Sequence, residues 1–249
     1  MMLEPIKELY ARENFTQNFY KLISILKYST SGVLYIQGDE SSGKTTTLRN
    51  FARNYEYKSI FVNAYEYYEP VLFFQYIYDS LCKMLKIEHA EQIEISNFIH
   101  KFKKIVENMH HDLFIVIDNG NELFNMDANL MYLILTMHSM ISCKICTIVS
   151  GRHSWSNFNF KLSSIPRCLY PIFIQLDTLT EGEMLSFFDH KYKNDAKKLN
   201  IPNETFDKII SITISLLYDS TTDVIEIDYV IGKLIDQTFF EKFIKGTIK

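Results

Sequence analysis

The sequence predicts an α/β fold: a three-layer parallel-sheet domain with helices on both faces, followed by a small domain made of helices alone. Three observations carry this expectation. Five short apolar runs alternate with helix-patterned segments up to about residue 177, and Leu113-Phe114-Ile115-Val116-Ile117 is apolar at every position, as in a strand buried on both faces. The first run leads into Gly38-Asp39-Glu40-Ser41-Ser42-Gly43-Lys44-Thr45, a glycine-bounded turn placed between a strand and a helix. Beyond Asp177 the strand-like runs stop and only helical periodicity remains.

The elements follow in order. Val33-Leu34-Tyr35-Ile36 reads as the first strand, ending at Gln37-Gly38, and the segment from Lys44 to Asn54 reads as a helix with Leu48, Phe51 and Ala52 on one side. Ser59-Ile60-Phe61-Val62-Asn63 is the second strand. Pro70 suits a first helical turn and opens a helix running towards Lys86. Another helix follows Ser96 as its N-cap, with Phe98, Ile99, Phe102, Ile105 and Val106 as its apolar stripe. The third strand, 113–117, ends at Asp118; a helix from about Asp127 to Met140, a strand from Ile145 to Val149 ending at Ser150, and a last strand over 171–175 complete the sheet domain. Thr180-Glu181-Gly182-Glu183 is a capping box, and helices are expected over about 181–194, 204–218 and 223–245. The domains are therefore 1–177, α/β and nucleotide-binding, and 178–249, helical.

Composition narrows the function classes. Hydrophobic residues make up 47% and charged residues 22% of the 249, a globular profile, and a net charge of −4 argues against a free-standing electrostatic DNA binder. The basic run Lys101-Phe102-Lys103-Lys104 reads as a solvated helix face. Cys143 and Cys146 have C-x-x-C spacing, but no second pair matches it and Cys146 lies in an apolar run; with Cys82 and Cys168 they read as reduced cysteines. His110-His111 reads as a loop before a strand. The absence of a signal peptide or a membrane-length apolar stretch leads us to expect an intracellular protein.

The glycine-bounded turn carries the chemistry. Gly38 and Gly43 let the backbone wrap a phosphate, and the helix N-terminus behind them offers N–H groups to the anion. Lys44 is placed to reach β- and γ-phosphate oxygens, and the Thr45 hydroxyl to ligate Mg²⁺. Asp118, at the end of a buried strand, is where an outer Mg²⁺ ligand belongs. The next residue is Asn119, which orients water but accepts no proton, and losing a general base costs about 10²–10⁴ in rate. Glu122 faces elsewhere once a helix has begun. The five arginines are Arg12, Arg49, Arg53, Arg152 and Arg167, so the helical domain brings none to a γ-phosphate. Feeble hydrolysis is the expectation.

An α/β domain with this loop and a small helical domain resembles the AAA+ ATPases. The likeness sharpens to their initiator clade and the subunit five family of the eukaryotic origin recognition complex, through Ala11-Arg12-Glu13, Ile60-Phe61-Val62-Asn63-Ala64 with Glu66, Ile115-Val116-Ile117-Asp118, Met126-Asp127-Ala128-Asn129-Leu130, and Val149-Ser150 with Trp155. The resemblance implies ATP and Mg²⁺ as cofactors. It makes Gly38, Asp39, Glu40, Ser41, Ser42, Gly43, Lys44, Thr45 and Thr46 the phosphate cradle, Thr45 and Asp118 the metal ligands, and Ser150 the sensor-one residue. Tyr10, Ala11 and Arg12 would lie near the adenine, and Arg167 would act as a finger towards a neighbour's nucleotide. It implies an ATP-binding subunit in replication initiation that supports assembly rather than turnover. Other subunits of the complex would be its partners, with origin DNA met through the assembled complex, in the nucleus and with no membrane. Two departures stand out. Asp223-Val224-Ile225-Glu226-Ile227-Asp228 offers only acids where a sensor-two arginine is expected, and the winged-helix domain that follows in this family is missing up to Lys249. At this level two other readings stay open: an active clamp-loader-type ATPase and a signalling-type switch.

Overall fold

The computed structural model describes residues 13–26, 32–54, 57–87, 92–109, 111–141, 145–163, 169–198 and 201–236. Its contacts group them into two compact units, one of residues 17–38 and 43–176, the other of residues 13–16, 39–42 and 177–236.

The α/β unit is built on five strands, β1 (Val33–Gly38), β2 (Lys58–Asn63), β3 (Leu113–Asp118), β4 (Ile145–Gly151) and β5 (Ile172–Leu176). All neighbours pair in parallel, in the order β2-β3-β4-β1-β5. The chain leaves β1 for the far edge, returns strand by strand, and then crosses to the other side of β1. Parallel pairing demands crossovers, and α2 (Lys44–Arg53), α3 (Pro70–Met84), α4 (Ile95–Val106), α5 (Ala128–Met140) and α6 (Trp155–Lys161) lie in the connections, with α1 (Glu13–Leu26) preceding them.

Strand alternation assigns the layers. Leu113, Ile115 and Ile117 of β3 join a core with Phe73, Phe74 and Ile77 of α3, Phe98 and Phe102 of α4, and Met131, Ile134 and Leu135 of α5. Phe114, of opposite parity, meets Phe51 of α2 edge-to-face at 5.2 Å, and Phe51 meets Phe19 of α1 at 5.5 Å. The sheet is thus the middle of three layers, as the all-apolar run of β3 predicts. Asp118 and Ser150 share the parity of Phe114 and so face the α2 side.

The helical unit holds α7 (Glu181–Lys198), α8 (Asn203–Leu217) and α9 (Val224–Ile235) around Met184, Phe188, Phe206, Ile210, Ile214, Ile227 and Ile231. Its capping box forms as predicted: the Thr180 N–H donates to Glu183 Oε2 at 2.8 Å and the Glu183 N–H to Thr180 Oγ1 at 3.3 Å.

Some expectations are corrected. Ser96 is not the N-cap of α4; Glu94 is, because the helix starts at Ile95, whose side chain packs against the core. α7 runs on to Lys198 rather than stopping near 194, which buries Ala196. α6 and a 3₁₀ turn over Gly120–Asn125 are elements that the residue pattern did not mark. Asp223 caps α9 through the Ile225 N–H, and the helix ends at Ile235 with Asp236 as its C-cap, short of the expected 245; residues from 237 lie outside the described residues. Cys82 and Cys146 are buried and in no disulfide; Cys143 and Cys168 lie outside the described residues. No described helix is long and apolar enough to cross a membrane.

Candidate nucleotide-binding site

The turn between β1 and α2 is bent by two residues in the left-handed region, Ser41 at φ 57° and Gly43 at φ 92°. Nothing lies within 4 Å of a Cβ placed on Gly43, so the dihedral, not crowding, requires glycine there. Gly43 is also the N-cap of α2 and has no side chain with which to cap it, and such a helix N-terminus suits an anion. Lys44 Nζ donates to the Gly38 carbonyl at 2.8 Å, so the ammonium lies back across the turn.

Asp118 sits at the C-terminal end of β3, the edge where open parallel sheets bind ligands. Its carboxylate is 1% exposed. Thr45 Oγ1 donates to Oδ2 at 2.7 Å, and Ser150 Oγ at the end of β4 donates to Oδ1 at 2.6 Å. Three elements therefore converge on one carboxylate. The Thr45 hydroxyl and the Asp118 carboxylate are hard oxygen donors, a set that suits Mg²⁺, which keeps several waters of its own. Among the described residues no group of three His, Cys, Asp or Glu could hold a softer metal. Gly120 makes this convergence possible: a Cβ there would strike the Val149 side chain and come within 2.8 Å of the Ser150 carbonyl.

Asn119, beside Asp118, is left-handed at φ 55° and its Nδ2 donates to Asn63 Oδ1 at the end of β2, at 2.8 Å. Asn63 in turn donates to Glu66 Oε1 at 2.8 Å. Glu122 accepts from Asn125 at 2.9 Å within the 3₁₀ turn. So the residue after Asp118 is an amide that accepts no proton, and it is tied to the end of β2. Within the unit that groups residues 39–42 with the helices, Ser41 Oγ donates to Asp223 Oδ1 at 2.6 Å, where the acidic run had replaced an expected arginine. Tyr10, Ala11, Arg12 and Arg167 lie outside the described residues.

A family model described as an AAA domain matches residues 26–157, more than half of the chain. This chain belongs to the AAA family. Within it, the AAA chain is similar to origin recognition complex subunit 5 of Drosophila melanogaster, 22% identical over 270 aligned positions that cover 99% of this chain and 56% of the relative. It is also similar to origin recognition complex subunit 5 of Homo sapiens, at 21% over 221 positions, 86% and 48% of the two chains. It thus spans about half the length of the curated relatives it matches. A chain in the structure of the Drosophila origin recognition complex bound to DNA superposes with a TM-score of 0.76 at 16% identity, over 94% of this chain and 66% of that one. Cdc6p of Pyrobaculum aerophilum superposes at 0.65 with 12% identity, over 99% and 65%. The Aeropyrum pernix ORC2 protein, solved in ADPNP and ADP complexes, superposes at 0.62 with 12% identity, over 91% and 69%. At these identities the structural likeness speaks to the fold.

The AAA site also contains residues to which sequence reasoning gave no role. Asn63 was noted only as part of a resembling stretch, yet it holds Asn119. Asn121 Oδ1 accepts the N–H groups of Arg152 at 3.1 Å and His153 at 3.3 Å, which ties the 3₁₀ turn to the chain leaving β4. Both are asparagines at strand or turn ends, where such side chains bond nearby backbone, but their partners lie dozens of positions away.

Proposed function

We propose that this chain is the ATP-binding subunit of an origin recognition complex, and that ATP-Mg²⁺ stabilises its assembly with other subunits with little or no turnover. One observation carries the reading. The binding constellation of Lys44, Thr45, Asp118 and Ser150 is complete, while the position beside Asp118 holds an amide tied to Asn63 rather than an acid. Similarity to origin recognition complex subunit 5 over 99% of the chain supports the choice of complex.

In this reading Gly38 to Thr46 cradle the phosphates and Lys44 turns from the Gly38 carbonyl to the anion. Thr45 and Asp118 hold the cation directly or through its waters, and Ser150 keeps the Asp118 carboxylate oriented. Mg²⁺ supplies neutralisation of the β- and γ-oxygens. Tyr10, Ala11 and Arg12 serve the adenine, and residues 178–249 form the helical domain of the subunit. Arg167 reaches a neighbour's nucleotide, so its replacement lowers turnover in the assembled complex. The site of action is the nucleus, with DNA met through the complex. A ligand that binds only the folded, assembled form adds about RT ln(1 + [L]/Kd), roughly 2.7 kcal/mol at a hundredfold excess over Kd. That is enough to favour assembly without hydrolysis.

The test is mass spectrometry of what co-purifies with the tagged chain, wild type beside Lys44→Ala. Recovery of other initiator-like ATPases with the wild type, and their loss with the variant, is expected. If none is recovered with either, the assignment to this complex is wrong.

A further inference from the structure

The segment that joins β2 to α3 exposes more large apolar and aromatic surface than its neighbours. Within eight consecutive residues Tyr65 is 68%, Tyr68 58%, Val71 50% and Leu72 49% exposed. The scaffold beneath them is well tied. Asn63 Oδ1 accepts the Tyr65 N–H at 3.2 Å, and the Glu66 and Tyr67 N–H groups return to the Asn63 carbonyl at 3.0 and 3.2 Å. Tyr67 stacks on Tyr76 with ring centroids 4.1 Å apart, and the Tyr76 hydroxyl donates to the Phe61 carbonyl at 3.1 Å. Pro70 then starts α3, whose Phe73 N–H reaches the Glu69 carbonyl at 2.9 Å. Exposed tyrosines on a hydrogen-bonded scaffold lose little conformational entropy on contact, which suits them as interface anchors.

The charged side chains of this segment itself are both acids. Glu66 and Glu69 are exposed between the tyrosines. No Lys or Arg occurs between Lys58 and Lys83. The segment itself offers a phosphate backbone no cation. A guanidinium would find both tyrosine faces and carboxylates, and it stacks on rings and pairs bidentately where an ammonium does neither as well.

We propose that Tyr65, Tyr68, Glu69 and the first turn of α3 form a docking surface for an arginine-bearing segment of a partner protein. The surface uses none of the residues assigned to the phosphate cradle and does not depend on which complex the chain serves.

The test uses the full chain with fluorescent octa-arginine and octa-lysine peptides and a short duplex DNA as probes. Octa-arginine binds more tightly than octa-lysine, because a guanidinium both stacks on the rings and pairs bidentately with the carboxylate. Tyr65→Ala/Tyr68→Ala removes that preference, and Glu69→Lys weakens both peptides, while unchanged ATP affinity and thermal midpoint show each variant folded. Equal binding of the two peptides by the wild type would overturn the proposal, as would an arginine preference that survives the double tyrosine change. Duplex DNA lost on the tyrosine change would assign the surface to nucleic acid instead.

Discussion

A carboxylate shut away from water carries a desolvation cost of several kcal/mol unless its charge is answered, and Asp118 is answered by two hydroxyls at 2.6 and 2.7 Å. That arrangement suits a site waiting for a cation better than a structural ion pair. Asp118→Asn keeps a side chain of the same size but removes the charge, so the Mg²⁺-dependent part of ATP affinity disappears; calorimetric titration with and without a chelator measures it. Ser150→Ala leaves one Asp118 oxygen unpartnered and costs about 1–3 kcal/mol of stability, read from denaturant midpoints. Gly120→Ala forces a Cβ to within 2.8 Å of the Ser150 carbonyl and costs a similar amount, about 1–3 kcal/mol, in the same assay. The cradle and Asp118 were legible in the sequence because their spacing is local and their position after a strand is dictated by anion chemistry. The Asn119–Asn63 bond was not, since it joins residues 56 positions apart and depends on β2 pairing with β3.

The elements follow from burial more than from local signals. The central strands β3 and β4 were legible because strands buried at every position read as largely apolar runs, and β2 and β5, less buried, still carry short apolar runs. The strand order was not, because periodicity is silent on which runs are neighbours. Helix ends shifted where packing outweighed capping, at Ile95 and at Ala196. Where the local signal and the packing agree, at Thr180 and Glu183, the prediction held, and Thr180→Ala should destabilise the helical unit by about 1 kcal/mol. Tyr192 gives that unit a pH response. Burial raises the phenol's pKa above its ordinary value, and its bonds to Asp228 raise it further. The folded form therefore holds that proton more tightly than the unfolded chain, and the stability it contributes is lost as pH rises above about 10, the ordinary tyrosine value. Thermal midpoints across that range should fall more steeply for the wild type than for Tyr192→Phe; equal slopes would remove Tyr192 as the cause.

At the scale of the whole molecule, the hydroxyls of Thr45 and Ser150 meet the Asp118 carboxylate beside an amide, Asn119, where the proposed site would need an acid to activate water. In the reading proposed above, a protein built in this way holds its nucleotide rather than consuming it, and the nucleotide acts through binding free energy on what assembles around it. The measurement that bears most directly on this is the fate of radiolabelled ATP bound to the purified chain with Mg²⁺, followed over hours beside Lys44→Ala. Wild type should retain the label as ATP while Lys44→Ala retains none. Steady conversion to ADP by the wild type, at a rate abolished in Lys44→Ala, would contradict a binding role and make this chain an active ATPase.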